Sequence, residues 1–157
     1  MFIQSVQPAN GPKAIGPYSP AVKLGDFVYV SGQLPIDPES GEIKGTTIEE
    51  QTRQAIANLE NVLAEMNLEL RHIVKTTVFM SDLNEFEAFN NEYAKAFVQP
   101  YPARSCVQVA ALPKGAKVEI ECMVIDTLIY EQQMAASSCG GCGGGGCGSD
   151  CGCDGCQ

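Results

Sequence analysis

Two side chains, Arg104 and Glu119, are of the right type and spacing to act together on a small acid. In 104–110, Arg104, Cys106 and Gln108 alternate with Ser105, Val107 and Val109; in 117–125, Val118, Ile120, Cys122 and Val124 alternate with Glu119 and Glu121. Side chains of a strand point to opposite faces with period two, so each run splits into two rows. If the valine rows face a helix layer, Arg104, Cys106 and Glu119 look out together from the uncovered side of a sheet. A guanidinium at the start of a strand offers a bidentate fork to a carboxylate, and a nearby glutamate can orient or deprotonate a water. That pair suits hydrolysis of a small carboxylic acid. The same parity also fits a structural Arg–Glu ion pair on a sheet face.

The elements that must hold these residues are legible in the spacing of apolar positions. Residues 21–24 and 27–31 flank Gly25-Asp26, a two-residue connection suited to a hairpin turn. After a Pro/Gly/Asp/Ser-rich loop over 35–45, Thr47 with Glu50 predicts a helix start. Ile48, Ala55, Ile56, Leu59, Val62, Leu63 and Met66 then form one stripe at spacings of three and four. Residues 73–80 are β-branched and predict a strand, and Asn84 with Glu87 predicts a second helix start. That helix carries Phe86, Phe89, Asn90, Tyr93 and Phe97 along one side. Two further strands, 104–110 and 117–125, are separated by Leu112-Pro113-Lys114-Gly115 and read as partners across a turn. The order predicts an α+β two-layer sandwich, one mixed or antiparallel sheet covered by two helices. Its other face is left for self-association.

The chain has 157 residues, enough for one domain, and eight cysteines, six of them between Cys139 and Cys156. The reading divides it into a domain over 1–130 and a flexible tail over 131–157, with composition collapsing to Gly, Cys, Ser and Asp from Ser137 onward. A net charge of −9, with ten Lys and Arg scattered along the chain, gives no basic track for a phosphate backbone. No signal-like leader or bilayer-length apolar run is present, so the reading predicts a cytoplasmic protein with no nucleic-acid or membrane partner.

Pro102-Ala103-Arg104-Ser105-Cys106-Val107-Gln108-Val109-Ala110 and Leu112-Pro113-Lys114-Gly115-Ala116-Lys117-Val118-Glu119-Ile120-Glu121 resemble the signature of the Rid family, also called YjgF. Gly16-Pro17-Tyr18-Ser19 and Val30-Ser31-Gly32-Gln33-Leu34-Pro35 are similar to its N-terminal motifs. The resemblance spans about residues 1–130 and implies a chorismate-mutase-like fold. It also implies hydrolysis of 2-imino and 2-enamino acids, such as 2-aminoacrylate, to 2-oxo acids and ammonia, with no cofactor. By the same resemblance Arg104 binds the substrate carboxylate and Glu119 positions the attacking water. The backbone at Cys106 and Gly32 meets the small polar atoms, Ser31 lines the pocket, Tyr18 closes it, and Asn90 is a further contact. The family's pockets sit between the subunits of a homotrimer. Pro20 stands where many relatives carry a polar residue and removes a backbone donor beside Tyr18. A non-catalytic module that senses 2-oxo acids is the alternative reading of the same pocket.

Cys106 as a nucleophile lacks an obvious base, since the one histidine, His72, precedes a different strand and reads as a surface residue. Cys139, Cys142, Cys147, Cys151, Cys153 and Cys156 bring six thiols into a stretch too polar to fold alone. Thiolates so spaced are candidates for zinc, copper(I) or an iron–sulfur centre, which would make the chain a metal- or redox-handling protein, and the counter-reading is an unstructured tail.

Overall fold

Thr47 and Glu50 start the first long helix by reciprocal capping. The Thr47 hydroxyl accepts from the Glu50 backbone N–H at 3.3 Å, and the Glu50 carboxylate accepts from the Thr47 N–H at 3.2 Å. The helix, α1 (Ile48–Ala64), buries Ile48, Ala55, Ile56, Leu59, Val62 and Leu63 of the predicted stripe, while Met66, also expected in it, lies past the helix end and is half-buried. These facts come from a computed structural model, which describes residues 2–14 and 16–138.

Around α1 the elements run β1 (Gln4–Val6), β2 (Ala21–Leu24), β3 (Phe27–Gln33), then β4 (Ile73–Met80), α2 (Phe86–Ala96), β5 (Ala103–Gln108) and β6 (Val118–Ile125). The β2–β3 hairpin turns at Gly25, whose φ of +58° is the left-handed geometry that glycine accepts without strain. The start of α2 differs from the expected cap. A single 3-10 turn over Leu83–Glu85 comes first, and the side chain that caps it is Asp82, accepting from the Asn84 N–H at 2.9 Å.

The six strands lie in the order β1-β2-β3-β6-β4-β5, with β4 and β5 parallel and all other neighbours antiparallel. The sheet is therefore mixed, and the predicted α+β two-layer arrangement holds. One expectation fails: β5 and β6 are not partners, because β4 lies between them. The β4–α2–β5 unit is a parallel crossover, which needs a helix-length connection, and it carries β5 to the sheet margin. β6 then pairs antiparallel with β3 and β4 in the middle.

The core fills the space between the helices and one sheet face. Leu59 and Leu63 of α1 and Phe89 of α2 are fully buried, as are Val78 and Met80 of β4 and Ile120 of β6. Each such side chain contributes about 1.5–3 kcal/mol relative to exposure. Phe27, Tyr29, Val107 and Met123, on the opposite face, stay exposed in the single chain.

Met1–Thr127 form one unit and Leu128–Gln157 a second. The described part of the second is α3 (Leu128–Ser138), so 131–138, assigned by composition to a flexible tail, is helical. Cys139, Cys142, Cys147, Cys151, Cys153 and Cys156, with the metal readings attached to them, lie outside the described residues. Among the described residues, no helix is long and apolar enough to cross a membrane, and no group of three His, Cys, Asp or Glu could hold a metal ion.

Candidate active site

Strand register decides where the two key side chains point. Thr76 of β4 pairs with Arg104 on one side and with Cys122 on the other, and Val78 pairs with Cys106 and Ile120. Arg104 and Cys106 therefore share the face of Cys122 and Ile120, which is the helix-covered face. Phe79 pairs with Val107 and Glu119, placing Glu119 with Glu121 on the open face.

The convergence of Arg104, Cys106 and Glu119 expected within one chain does not occur: the guanidinium and the carboxylate lie on opposite sides of the sheet. The parity expected of β6 holds, and that of β5 is inverted. Val107, expected beneath the helices, is 44% exposed on the other face. The physical reason is the edge position of β5, where an apolar residue does not mark the covered face. α2 meets β5 with aromatic rings, which accept a guanidinium as readily as a valine.

On the covered face, the Arg104 Nη2 donates to the Asn90 Oδ1 at 2.7 Å. Its Cζ lies 4.7 Å from the centroid of Tyr93 and 5.6 Å from those of Phe86 and Phe89. The predicted aromatic stripe of α2 thus cradles the cation. Cys106 is half-buried one pleat along, and burial pushes its thiol up, opposed by a weaker pull from Arg104. A protonated thiol of this kind suits packing or a backbone contact better than nucleophilic attack. His72 is buried rather than on the surface, its Nδ1 accepting from the Glu69 N–H at 2.9 Å.

On the open face, Ser31 and Gly32 form a bulge in β3, two residues set against Glu121 of β6. The Gln33 side chain braces it, donating to the Ser31 carbonyl at 3.0 Å, while the Ser31 hydroxyl donates to the Ser19 carbonyl at 2.7 Å. Gly32 is required by contact, since a Cβ there would occupy the space of the Glu119 carboxyl group. Burial, and secondly the neighbouring Glu121, raise the Glu119 carboxyl above the usual carboxylate range. Adjoining this corner is a hollow of about 560 Å³ lined by Tyr18, Ser31, Tyr29, Lys75, Glu121 and Met123. A larger hollow of about 720 Å³, between 9–13 and 36–41, contains none of the predicted site residues.

The site residues predicted from sequence thus fall into two sets. Asn90, Arg104 and Cys106 gather on the covered face; Tyr18, Ser31, Gly32 and Glu119 gather on the open one. Sequence reasoning missed the functional meaning of the α2 stripe, although its spacing of three and four was visible, because nothing in the spacing says that Arg104 lies against it.

Residues 8–126 match the family model described as Endoribonuclease L-PSP. The chain belongs to this family. Its members include the RutC and Rid proteins, and the resemblance read from the motifs is borne out at the level of the whole domain. RutC family protein y4sK of Sinorhizobium fredii is 47% identical over 123 residues, covering 78% of this chain and 98% of that one. The 2-iminobutanoate/2-iminopropanoate deaminase of Homo sapiens is 41% identical over 120 residues, covering 76% and 88%. Among solved structures, E. coli TdcF with bound serine shares 39% identity at a TM-score of 0.71, covering 78% and 98%. Imine deamination is thus an activity named within the family of this Rid protein.

Proposed function

We propose that this Rid protein hydrolyses small 2-imino and 2-enamino acids to 2-oxo acids and ammonia, at sites that two chains build together. The observation that carries the reading is a pair of unmatched charges. Among the described residues, half-buried Arg104 has no carboxylate partner, and half-buried Glu119 has neither a cation nor a hydrogen-bond donor. Leaving such groups unpaired is costly, and burial of a charge is tolerated where a ligand or partner will complete it. Bringing the covered-face edge of one chain against the open face of another would place the guanidinium opposite the carboxylate. A homotrimer, which also buries Phe27, Tyr29 and Met123, is the assembly proposed. The serine bound in E. coli TdcF, a small molecule with a carboxylate, supports a substrate of this size.

In this scheme Arg104 takes the substrate carboxylate as a bidentate pair, which fixes the imine carbon. Glu119 of the adjoining chain accepts a proton from a water as that water attacks the carbon. Glu119 then returns that proton to the nitrogen of the carbinolamine, and the C–N bond breaks with its electron pair leaving on ammonia. The carbinol hydroxyl gives up its proton to the departing ammonia, so that ammonium and the 2-oxo acid leave and Glu119 is a carboxylate again. A 2-enamino acid first takes a proton on its methylene carbon to become the imine. Ser31, the Gly32 and Cys106 backbones and Tyr18 enclose the polar atoms. No step calls for a cofactor. The family description names an endoribonuclease, yet a charge of −9 with ten scattered basic residues gives RNA no track to follow, so a small acid is the substrate we keep.

The test is ammonia release from 2-aminoacrylate generated in place by a dehydratase. Release faster than in buffer supports the reading. Saturable binding of 2-oxobutanoate without any acceleration would replace it with the sensing module.

Three further results are expected at the open face. Gly32→Ala should lower kcat/KM by about a hundredfold, the cost of displacing a reacting group by about 1 Å, because Glu119 must swing away from the added methyl. Wild-type kcat/KM should fall as pH drops through the Glu119 pKa, since a protonated carboxyl cannot take the proton of water. Glu121→Gln removes the like charge that helps to raise Glu119, so this acid limb should move to lower pH. A pH profile in which the limb stays in place would take Glu119 out of the proton transfer.

A further inference from the structure

Arg104 is an unusual side chain to present at a half-buried strand position: a long, flexible cation with one hydrogen bond among the described residues, to Asn90. One bond to a neutral amide leaves the plane of the guanidinium free to turn about its long axis. A bidentate grip on a carboxylate needs that plane fixed, because both N–H bonds must point along the same fork. Something else has to hold it.

The ring nearest the guanidinium is Tyr93, at 4.7 Å from Cζ, closer than either phenylalanine. That ring is itself immobilised from three directions. Its hydroxyl pairs with the Thr76 Oγ1 at 2.9 Å, and Thr76 is fully buried on β4 directly across from Arg104 in the parallel register. Phe97 stacks on one side of it at 4.2 Å between centroids, with an interplanar angle of 16°. Phe89, fully buried, tilts against it at 5.5 Å.

We propose that Tyr93 is the positioning residue for Arg104, its ring locked by the hydroxyl pair with Thr76 and serving as the platform that sets which edge of the guanidinium meets a substrate carboxylate. This rests on the reading of Arg104 given above. The platform acts in two ways. It covers one face of the cation and so removes water that would compete with a carboxylate, and it holds the plane that Asn90 alone leaves free. Tyr93 touches no reacting atom; its effect passes entirely through Arg104.

The experiment measures binding of 2-oxobutanoate to the full-length protein by calorimetry, together with kcat and KM in the coupled assay. Tyr93→Leu, which removes the ring, should raise both the Kd and the KM about tenfold, the order of a partly desolvated cation–π contact. Its kcat should stay within about threefold of wild type, because a positioning loss felt in binding leaves the Glu119 side intact. Tyr93→Phe, which keeps the ring and lacks only the hydroxyl, should hold the rise in Kd to about threefold. Equal falls in kcat with KM and Kd unchanged would overturn the proposal, as would a Tyr93→Leu variant that binds as wild type does.

If Tyr93→Leu does not fold by circular dichroism, Thr76→Val carries the test, since it keeps every ring in place and frees only the hydroxyl. It should raise Kd about threefold, and Tyr93→Phe added to it should raise Kd no further, the signature of two groups acting through one bond. An unchanged Kd in Thr76→Val would then refute the platform. The functional reading fails separately: wild-type protein that neither binds 2-oxobutanoate nor speeds imine hydrolysis would remove it, whereas active wild type with indifferent variants would remove the role of Tyr93 alone.

Discussion

Arg104→Ala brings ammonia release from 2-aminoacrylate down toward the rate in buffer: this is the largest single effect expected for the chain. The loss has two sources. A charge-assisted bidentate contact disappears, and the substrate carboxylate is left in a partly dehydrated site with no cation opposite it. Truncating one partner of such a pair costs about 2–5 kcal/mol, which corresponds to a fall in kcat/KM of about thirtyfold to several thousandfold. Much of that should appear as KM, because the carboxylate is bound in the ground state as well as the transition state. Circular dichroism should show the variant folded, since Arg104 makes one hydrogen bond and its aromatic neighbours pack on one another without it. A variant with wild-type activity would end the assignment.

The second result follows from the faces of the sheet. Arg104→Ala and Glu119→Gln should each be nearly inactive alone. Refolded together, or co-expressed and separated as mixed oligomers, they should regain activity. At an interface where one chain lends its arginine and the next its glutamate, random mixing of the two variants leaves about a quarter of the interfaces with both wild-type groups. Activity approaching a quarter of wild type is therefore the expected plateau, reached only after subunits exchange. A site confined to one chain would show no recovery at any mixing ratio, since each chain would lack one of the two groups. The experiment separates the shared-site geometry from the chemistry, because both single variants are expected to fail under either geometry.

Local chemistry reached the sequence directly in several places. The capping box at Thr47 and Glu50, the buried stripe of α1, the hairpin at Gly25 and the alternation of β6 all depend on neighbours within a few residues, and each stands as read. The candidate residues themselves were legible, because an arginine, a glutamate and a glycine in matching motifs carry their chemistry in their types. What could not be read was their arrangement. The turn at 112–115 suggested that the flanking strands pair, whereas β4 enters between them by a crossover that no local signal announces. The valines of β5 suggested the covered face, yet an edge strand has no need to bury them.

Sequence by itself determined that this is a two-layer α+β protein of the Rid family and which side chains carry charge suited to a small acid. Only the tertiary structure decided that Arg104 and Glu119 face away from each other. It also decided that Arg104 rests on the rings of α2 and that Gly32 makes room for Glu119. The physical reason is that side-chain parity is local, while the choice of which face is covered depends on strand order. Strand order is set by packing between segments tens of residues apart.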